Sequence, residues 1–253
     1  MTGKDDSKRY ADKVAIATTT FYRPHSDVDI ERANLARNFV RSATDIGYSV
    51  FVVDGGSAHE FLGDIERCGA VVLPEEEFGM GKSRRQAIKA AHDSGRDVIV
   101  WSEPEKECYV AEISKTVEPI VNGSSDLVVP KRRSLDSYPT AQQFAEPFGN
   151  AFWKALTGTD LDVWFGPRTW RRELSGLFLD YNGEYGDKWD SIFIPVLDVL
   201  NRGDRIASVE VDYTHPKIQR DREESDLVFY RKRVEQLQNL MEALENHWKK
   251  LKG

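Results

Sequence analysis

The sequence predicts an α/β protein: a mostly parallel central sheet flanked by helices, with a long C-terminal helix. Three observations carry this. Short β-branched runs alternate with amphipathic segments through the first hundred residues, the pattern of successive βαβ units. The connections between them are short and contain Gly and Asp. From Tyr230 to Leu251, apolar residues recur at steps of four and three, as on a packed helix.

In chain order, "VAIATTTFY" (14–22) reads as a buried strand running into threonines, and 27–47 as a helix with Ile30, Leu35, Phe39 and Val40 on one face and Gly47 as its stop. "YSVFVVDGG" (48–56) is a second strand, 58–69 a short helix, and "AVVLP" (70–74) a third strand. A helix at 81–95 leads to the fourth strand, "DVIVWSE" (97–103). The second half is less regular. It reads as a helix at 108–123, a strand at 126–132 and a helix at 141–158 with Pro147 as a kink. "DVWFGPRTWRRE" (162–173) reads as a turn, 188–203 as a helix despite Pro195, and 205–213 as a strand. The tail, Tyr230, Val234, Leu237, Met241, Leu244, Trp248 and Leu251, reads first as a helix packed across the domain. Pairing with a second copy as a homodimer is its alternative. This divides the chain into a polar extension (1–13), one domain (14–221, with halves 14–107 and 108–221) and a C-terminal amphipathic helix (222–253).

Composition narrows the function. A net charge of −7 argues against broad binding to nucleic acid. Two distant cysteines, Cys68 and Cys108, fit neither a disulfide framework nor a zinc site and read as buried or unreactive thiols. No apolar run is long enough to span a membrane, and the charged start lacks the apolar core of a signal peptide. The expectation is a cytoplasmic protein.

Right-handed crossovers place the C-terminal ends of parallel strands on one edge, where ligands of open α/β sheets bind. Four polar groups converge there: Thr18–Thr20, Asp54, the Gly79–Lys82 loop, and Glu103 with Glu105. "DGGS" (54–57) suits a ribose or base, or is a plain turn. "FGMGKSRRQAI" (78–88) puts Gly79, Gly81 and Lys82 at a helix start, where N–H groups attract anions; a plain helix start is the equal alternative. It has neither the Walker spacing nor the dinucleotide fingerprint. "SEPEKE" offers two carboxylates at i and i+2 to a hard cation. Taken alone, the pair reads as a solvated loop. His215, at the rigid end of "VEVDYTHP" (209–216), adds a candidate ligand. Lys131, Arg132 and Arg133 suit a small anionic acceptor, with a solvated basic loop as the alternative.

In this order the pieces resemble the GT-A glycosyltransferases, the nucleotide-diphospho-sugar transferase fold of family-2-like enzymes. Within these, they are nearest the branch of mannosylglycerate and glucosyl-3-phosphoglycerate synthases. The resemblance spans roughly 14–216 and rests on "VAIATTT", "VFVVDGGS", "GMGKSRRQAI", "VIVWSEPEKE", "DVWFGPRTWRRE", "GDKWDSIFIPVL" and "VDYTHP". It implies a metal-dependent transferase, with Mn2+ or Mg2+ as cofactor. A nucleotide-diphospho-sugar would be the donor and a small molecule the acceptor.

Carried over, Thr18 and Thr19 line the base pocket, Asp54 meets base or ribose, and Lys82, with Gly79 and Gly81, faces the diphosphate. Glu103 stands for the first Asp of the metal motif and is assigned to the nucleotide-sugar, Glu105 stands for the last and holds the metal with His215, and Asp190 is the carboxylate near the acceptor hydroxyl. Glu at both motif positions is the main departure, since each side chain is one methylene longer. The rivals are a catalytically weakened module that binds a sugar nucleotide or a protein partner, and a sugar-phosphate nucleotidyltransferase. The latter would carry a Gly-rich loop where "TTTFYRPHSD" stands.

Overall fold

The structure, a computed structural model, describes residues 8–23 and 26–253; the first seven residues of the expected extension, with Pro24 and His25, lie outside the described residues. The first half alternates as expected: β1 (Val14–Thr20), α1 (Asp27–Ile46), β2 (Ser49–Asp54), α2 (His59–Arg67), β3 (Val71–Pro74), α3 (Met80–Asp93) and β4 (Val98–Trp101). Then come α4 (Ile113–Val121), β5 (Leu127–Arg132), α5 (Thr140–Thr157), β6 (Arg168–Arg171) and α6 (Ser175–Leu179). The chain ends with α7 (Asp190–Asn201), β7 (Ile206–Val211), α8 (Lys217–Glu223) and α9 (Leu227–Lys252). Helices α5 and α7 run through Pro147 and Pro195 without ending.

The sheet order is β3-β2-β1-β4-β6-β5-β7. Every neighbouring pair is parallel except the two made by β6, which runs against both β4 and β5. The strand β6 corrects the expectation of a turn over 162–173: Val163–Phe165 forms a 3-10 turn before it and Arg172–Leu174 another directly after it. Arg168, Thr169 and Trp170 are each fully buried, so no polar/apolar alternation marks the strand, and its arginines imitate a loop.

Period-two alternation builds a core on each face. Val14, Ile16, Val50, Val52, Val98 and Val100 face α1, α2 and α4, where Phe39, Phe61 and Val117 pack. Ala15, Ala17, Ile99, Trp101 and Val129 face Ala87, Trp153 and Ile194 of α3, α5 and α7. The small alanines of β1 let α3 pack directly on the strand.

Helix α9 packs against α5 and α7, the favoured of the two uses expected for the tail. Its buried residues are Phe229, Gln236, Leu240, Ala243, Leu244 and His247. That stripe is rotated from the expected heptad, which leaves Val234 at 65% exposure; a helix seated in a groove between two others buries a wider face than a two-stranded seam. No helix among the described residues is long and apolar enough to cross a membrane. Both cysteines are unpaired, and Cys108 is exposed rather than buried; partial desolvation and the Glu107 carboxylate raise its thiol pKa.

Asp126, just before β5, pins the start of β7. Its Oδ2 accepts from Arg205 N at 2.9 Å and Nε at 3.0 Å, and Oδ1 accepts from Nη2 at 2.8 Å. The Arg205 hydrogen bonds hold the Asp126 pKa down at about 2, against about 3.9 for an unfolded Asp. A depressed carboxylate contributes stability that is present above the unfolded value and lost as pH falls through the folded one. The stability advantage of wild type over Asp126→Asn is therefore expected to shrink between about pH 4 and about pH 2, measured by urea denaturation across that range.

Candidate active site

A cavity of about 600 Å³ opens at the sheet edge where β4, β5 and β7 end and β6 begins, within the usual range for ligand sites. Four of the expected residues line it: Glu103, Glu105, Arg132 and His215.

Glu103 follows β4 and lies against Gly166, which has φ +103°. A Cβ at Gly166 would stand 2.5 Å from Glu103 Oε1, so glycine is required both by the backbone and by the approach. Gly166→Ala is expected to cost about 1–2 kcal/mol from the left-handed conformation alone and to displace the carboxylate, checked by urea denaturation. Behind Glu103 lie two buried guanidinium groups. Arg168 donates to the carbonyls of Pro167, at 2.7 Å, and Val163. Burial draws its pKa down to about 10, with the Glu103 charge resisting, so it stays protonated at neutral pH. Arg84 donates to Lys188 O at 2.7 Å and Ser191 Oγ at 3.1 Å. Its pKa too is lowered by burial against the pull of Glu103 and Asp190. Lys106 Nζ lies 4.0 Å from Glu103 Oε2, an oxygen that is buried and accepts no hydrogen bond.

Glu105 is more fully engaged. Its Oε1 accepts from the Tyr22 hydroxyl at 2.7 Å and from Arg32 Nε and Nη2 at 3.0 and 2.8 Å. Burial, then the charge of Glu105, raises the Tyr22 pKa well up and keeps it a donor. His215 stacks on Tyr138 with ring centroids 4.7 Å apart. Its Nε2 is 3.5 Å from Glu223 Oε2, and neither ring nitrogen makes a hydrogen bond.

Glu103 Oε2 and both His215 nitrogens are buried, line one cavity and make no hydrogen bond, a carboxylate-and-imidazole pair of the kind a divalent cation accepts. No three His, Cys, Asp or Glu side chains among the described residues converge as a cage. An ion on these residues would need phosphate oxygens and water to complete its shell.

Arg132 is locked in a buried network. Nε and Nη2 donate to Asp162 at 2.8 and 2.7 Å, Nη1 donates to Glu146, and the guanidinium sits 4.9 Å over Tyr138. Burial would raise the Asp162 pKa, but Arg132 overrides it and holds the group down. Arg133 lies outside the cavity, exposed and paired with Glu210 and Asp212.

The remaining expected residues are elsewhere. Thr18 is buried with its hydroxyl unpartnered, and it is Thr20, not Thr18 or Thr19, that donates to Asp54, at 2.8 Å. Asp54 also accepts from Gly56 N and Ser57 N at 2.8 Å and from the Ser57 hydroxyl, which staples the turn after β2. At the start of α3, Gly81 N donates to Asp187 O at 2.9 Å. A Cβ at Gly81 would meet Asp187 Oδ1 at 1.9 Å. Lys82 pairs with Glu77 at 2.7 Å and faces a separate outer groove that Gly79 does not line. Asp190 is buried at the start of α7, accepting from the Tyr181 hydroxyl and from Lys188 N at 2.6 Å. It lines a smaller cavity of about 260 Å³, and Trp189 lies between the two, lining both.

Tyr22, Arg32, Lys106, Gly166 and Arg168 were not expected from the sequence, and Arg84 was expected only as added positive charge at the start of α3. Two signals were there to read: a glycine directly after an aromatic pair in "WFG", and an arginine inside a segment otherwise apolar enough to be a strand.

No protein-family profile matches the chain, and no curated protein matches it. Solved structures do. Glucosyl-3-phosphoglycerate synthase of Mycobacterium tuberculosis superposes with a TM-score of 0.66 at 16% identity, covering 96% of this chain and 84% of that one. The same enzyme in complex with Mn2+, UDP and glucosyl-3-phosphoglycerate gives 0.60 at 15% identity, over 85% and 76% of the two chains. Its complex with Mn2+, UDP-glucose and glycerol 3-phosphate gives 0.60 at 16%, with the same coverage. Identity this low speaks for architecture alone, and on that architecture the chain has the GT-A fold of the nucleotide-sugar transferases.

Proposed function

We propose that this chain is a metal-dependent glycosyltransferase that moves a sugar from a nucleoside diphosphate, with UDP-glucose the first donor to test, to a small anionic acceptor. One observation supports it above the others. A single strand-end cavity is lined by Glu103, Glu105 and His215, with Glu103 Oε2 and both His215 nitrogens buried and without a hydrogen bond. The fold shared with enzymes solved with UDP, Mn2+ and glycerate-phosphate molecules agrees with this reading.

In this reading Glu103 and His215 hold Mn2+ or Mg2+, with Glu105 beside them, and residues 14–107 and 108–221 form the donor and acceptor halves. A bound divalent ion supplies charge to neutralise the diphosphate as it leaves. The protein does the rest. Arg84, Arg168 and Lys106 surround Glu103 with positive charge. Thr19 and the stapled Asp54 turn stand on the side given to base and ribose, with Thr18 buried beneath them; Gly79, Gly81 and Lys82 lie at the start of α3, and Lys82 would have to leave Glu77 and its outer groove to meet a diphosphate. Asp190, already held by Tyr181 and backbone N–H groups behind Trp189, orders the 181–190 segment rather than moving a proton.

One observation favours a second reading, a module that binds a sugar nucleotide without transferring it: Arg32 and Tyr22 already occupy Glu105. The two separate in one assay. UDP-glucose is incubated with glycerol 3-phosphate or 3-phosphoglycerate and Mn2+, with and without EDTA. Chelator-sensitive product formation supports the transferase. UDP binding with no product supports the module, and neither binding nor product removes both.

A further inference from the structure

We propose that the second cavity, between α9 and the segment 185–190, is a binding site for one neutral pyranose ring. The proposal stands apart from the reading of the strand-end cavity, from which Trp189 divides it.

At about 260 Å³ the cavity falls below the usual range for drug-sized ligands and suits a single small ring. Leu240 and Ala243 of α9 give it a buried apolar floor, and Tyr185 and Trp189 add two aromatic side chains from the facing segment. Asn239, Glu242 and Asn246 follow at i, i+3 and i+7, along one face of α9. They line the cavity and make no side-chain hydrogen bond or ion pair among the described residues, and the Lys188 ammonium makes none either.

A solvated helix face needs no fixed wall in front of it, and this one has such a wall. Lys250 pairs with Glu184 at 3.0 Å, and Tyr185 meets His247 edge-on at 5.9 Å, which ties the segment to α9. Arg85 Nη2 donates to Asp187 Oδ2 at 2.8 Å, and Gly81 N donates to Asp187 O at 2.9 Å, which ties it to α3. Asp187 itself is held at φ +56°, in the left-handed region that side chains seldom adopt. The hollow is therefore preformed.

The lining selects the ligand. A pyranose has C–H faces, which aromatic side chains cover, and a rim of hydroxyls, which pair with amides that both donate and accept. Charge argues against an ion. Lys188 and Glu242 offset one another, and the buried Asp190 carboxylate already accepts from the Tyr181 hydroxyl and the N–H groups of Asp187 and Lys188.

The test titrates glucose into the full, isotopically labelled chain without UDP or Mn2+, so its outcome stands whether or not the chain proves a transferase. The indole N–H signals of Trp189 and Trp164 are read, each identified by its own variant, Trp189→Phe or Trp164→Phe. Trp164 lines only the strand-end cavity, whereas Asn239 and Asn246 line only the second one. Glucose is expected to shift the Trp189 signal saturably and to leave Trp164 in place. Asn239→Ala and Asn246→Ala, which suit an exposed helix position, are each expected to weaken the affinity by about five- to tenfold. Glycerol and inorganic phosphate are expected to leave the Trp189 signal unmoved. Methyl α-glucoside tells the two sources of the ring apart: equal affinity assigns the site to a glycoside, and exclusion assigns it to the free sugar. The proposal is overturned if glucose gives no saturable shift, if both Ala variants bind it as wild type does, or if phosphate produces the same shift. A shift of Trp164 and Trp189 together that survives both Ala variants overturns it as well, by placing the sugar in the strand-end cavity.

Discussion

Glu103→Gln is expected to slow sugar transfer by about 10²–10³-fold with little change in fold. The substitution keeps the shape that packs against Gly166 and removes only charge and ligand strength. Glu103 is the motif carboxylate whose Oε2 stays buried and unengaged, and three cations focus on it: Arg84, Arg168 and Lys106. Glu103→Ala, by contrast, also leaves the two buried guanidinium groups without their counter-charge, so it loses stability as well as rate. The split is measured by kcat/KM for UDP-glucose at saturating Mn2+, beside a thermal melt of each variant. Glu105→Gln is expected to lose less rate than Glu103→Gln, because Tyr22 and Arg32 hold Glu105 in the protein's own network.

Arg132→Met is expected to destabilise the fold by about 3–5 kcal/mol. Arg132 is buried with Asp162 and Glu146, and removing it strands two carboxylates inside the domain. Adding Glu146→Gln and Asp162→Asn to the same chain is expected to recover much of the loss, since a buried polar cluster costs most when only half of it is removed. Urea denaturation of the single and triple variants checks both statements. The result also bears on function: Arg132 lines the cavity, and its pairs with Asp162 and Glu146 fix where the guanidinium stands.

The legible part of the fold was what local rules decide. Strands β1 to β4 announce themselves as β-branched runs between glycines, and their helices by spacing. β6 does not, because a strand paired on both sides and covered on both faces carries no alternation, and Arg168 looks like a loop residue until its burial is seen. Within the site, Glu103, Glu105 and His215 could be read because they stand at strand ends in one chain order. Tyr22, Arg32 and Arg84 could not, because their roles come from a turn and two helices that reach the cavity only through the tertiary packing. Asp190 shows the reverse case. Its place in the sequence suggests chemistry, and the structure adds what the sequence does not show, three donors that hold its carboxylate at the start of α7.

The most direct test of the account is a calorimetric titration of UDP into wild type and Glu103→Gln, each with and without Mn2+. Wild type is expected to bind UDP tightly only with Mn2+, and Glu103→Gln is expected to remove the metal dependence. UDP binding that ignores both Mn2+ and Glu103, or no UDP binding under any condition, would contradict it.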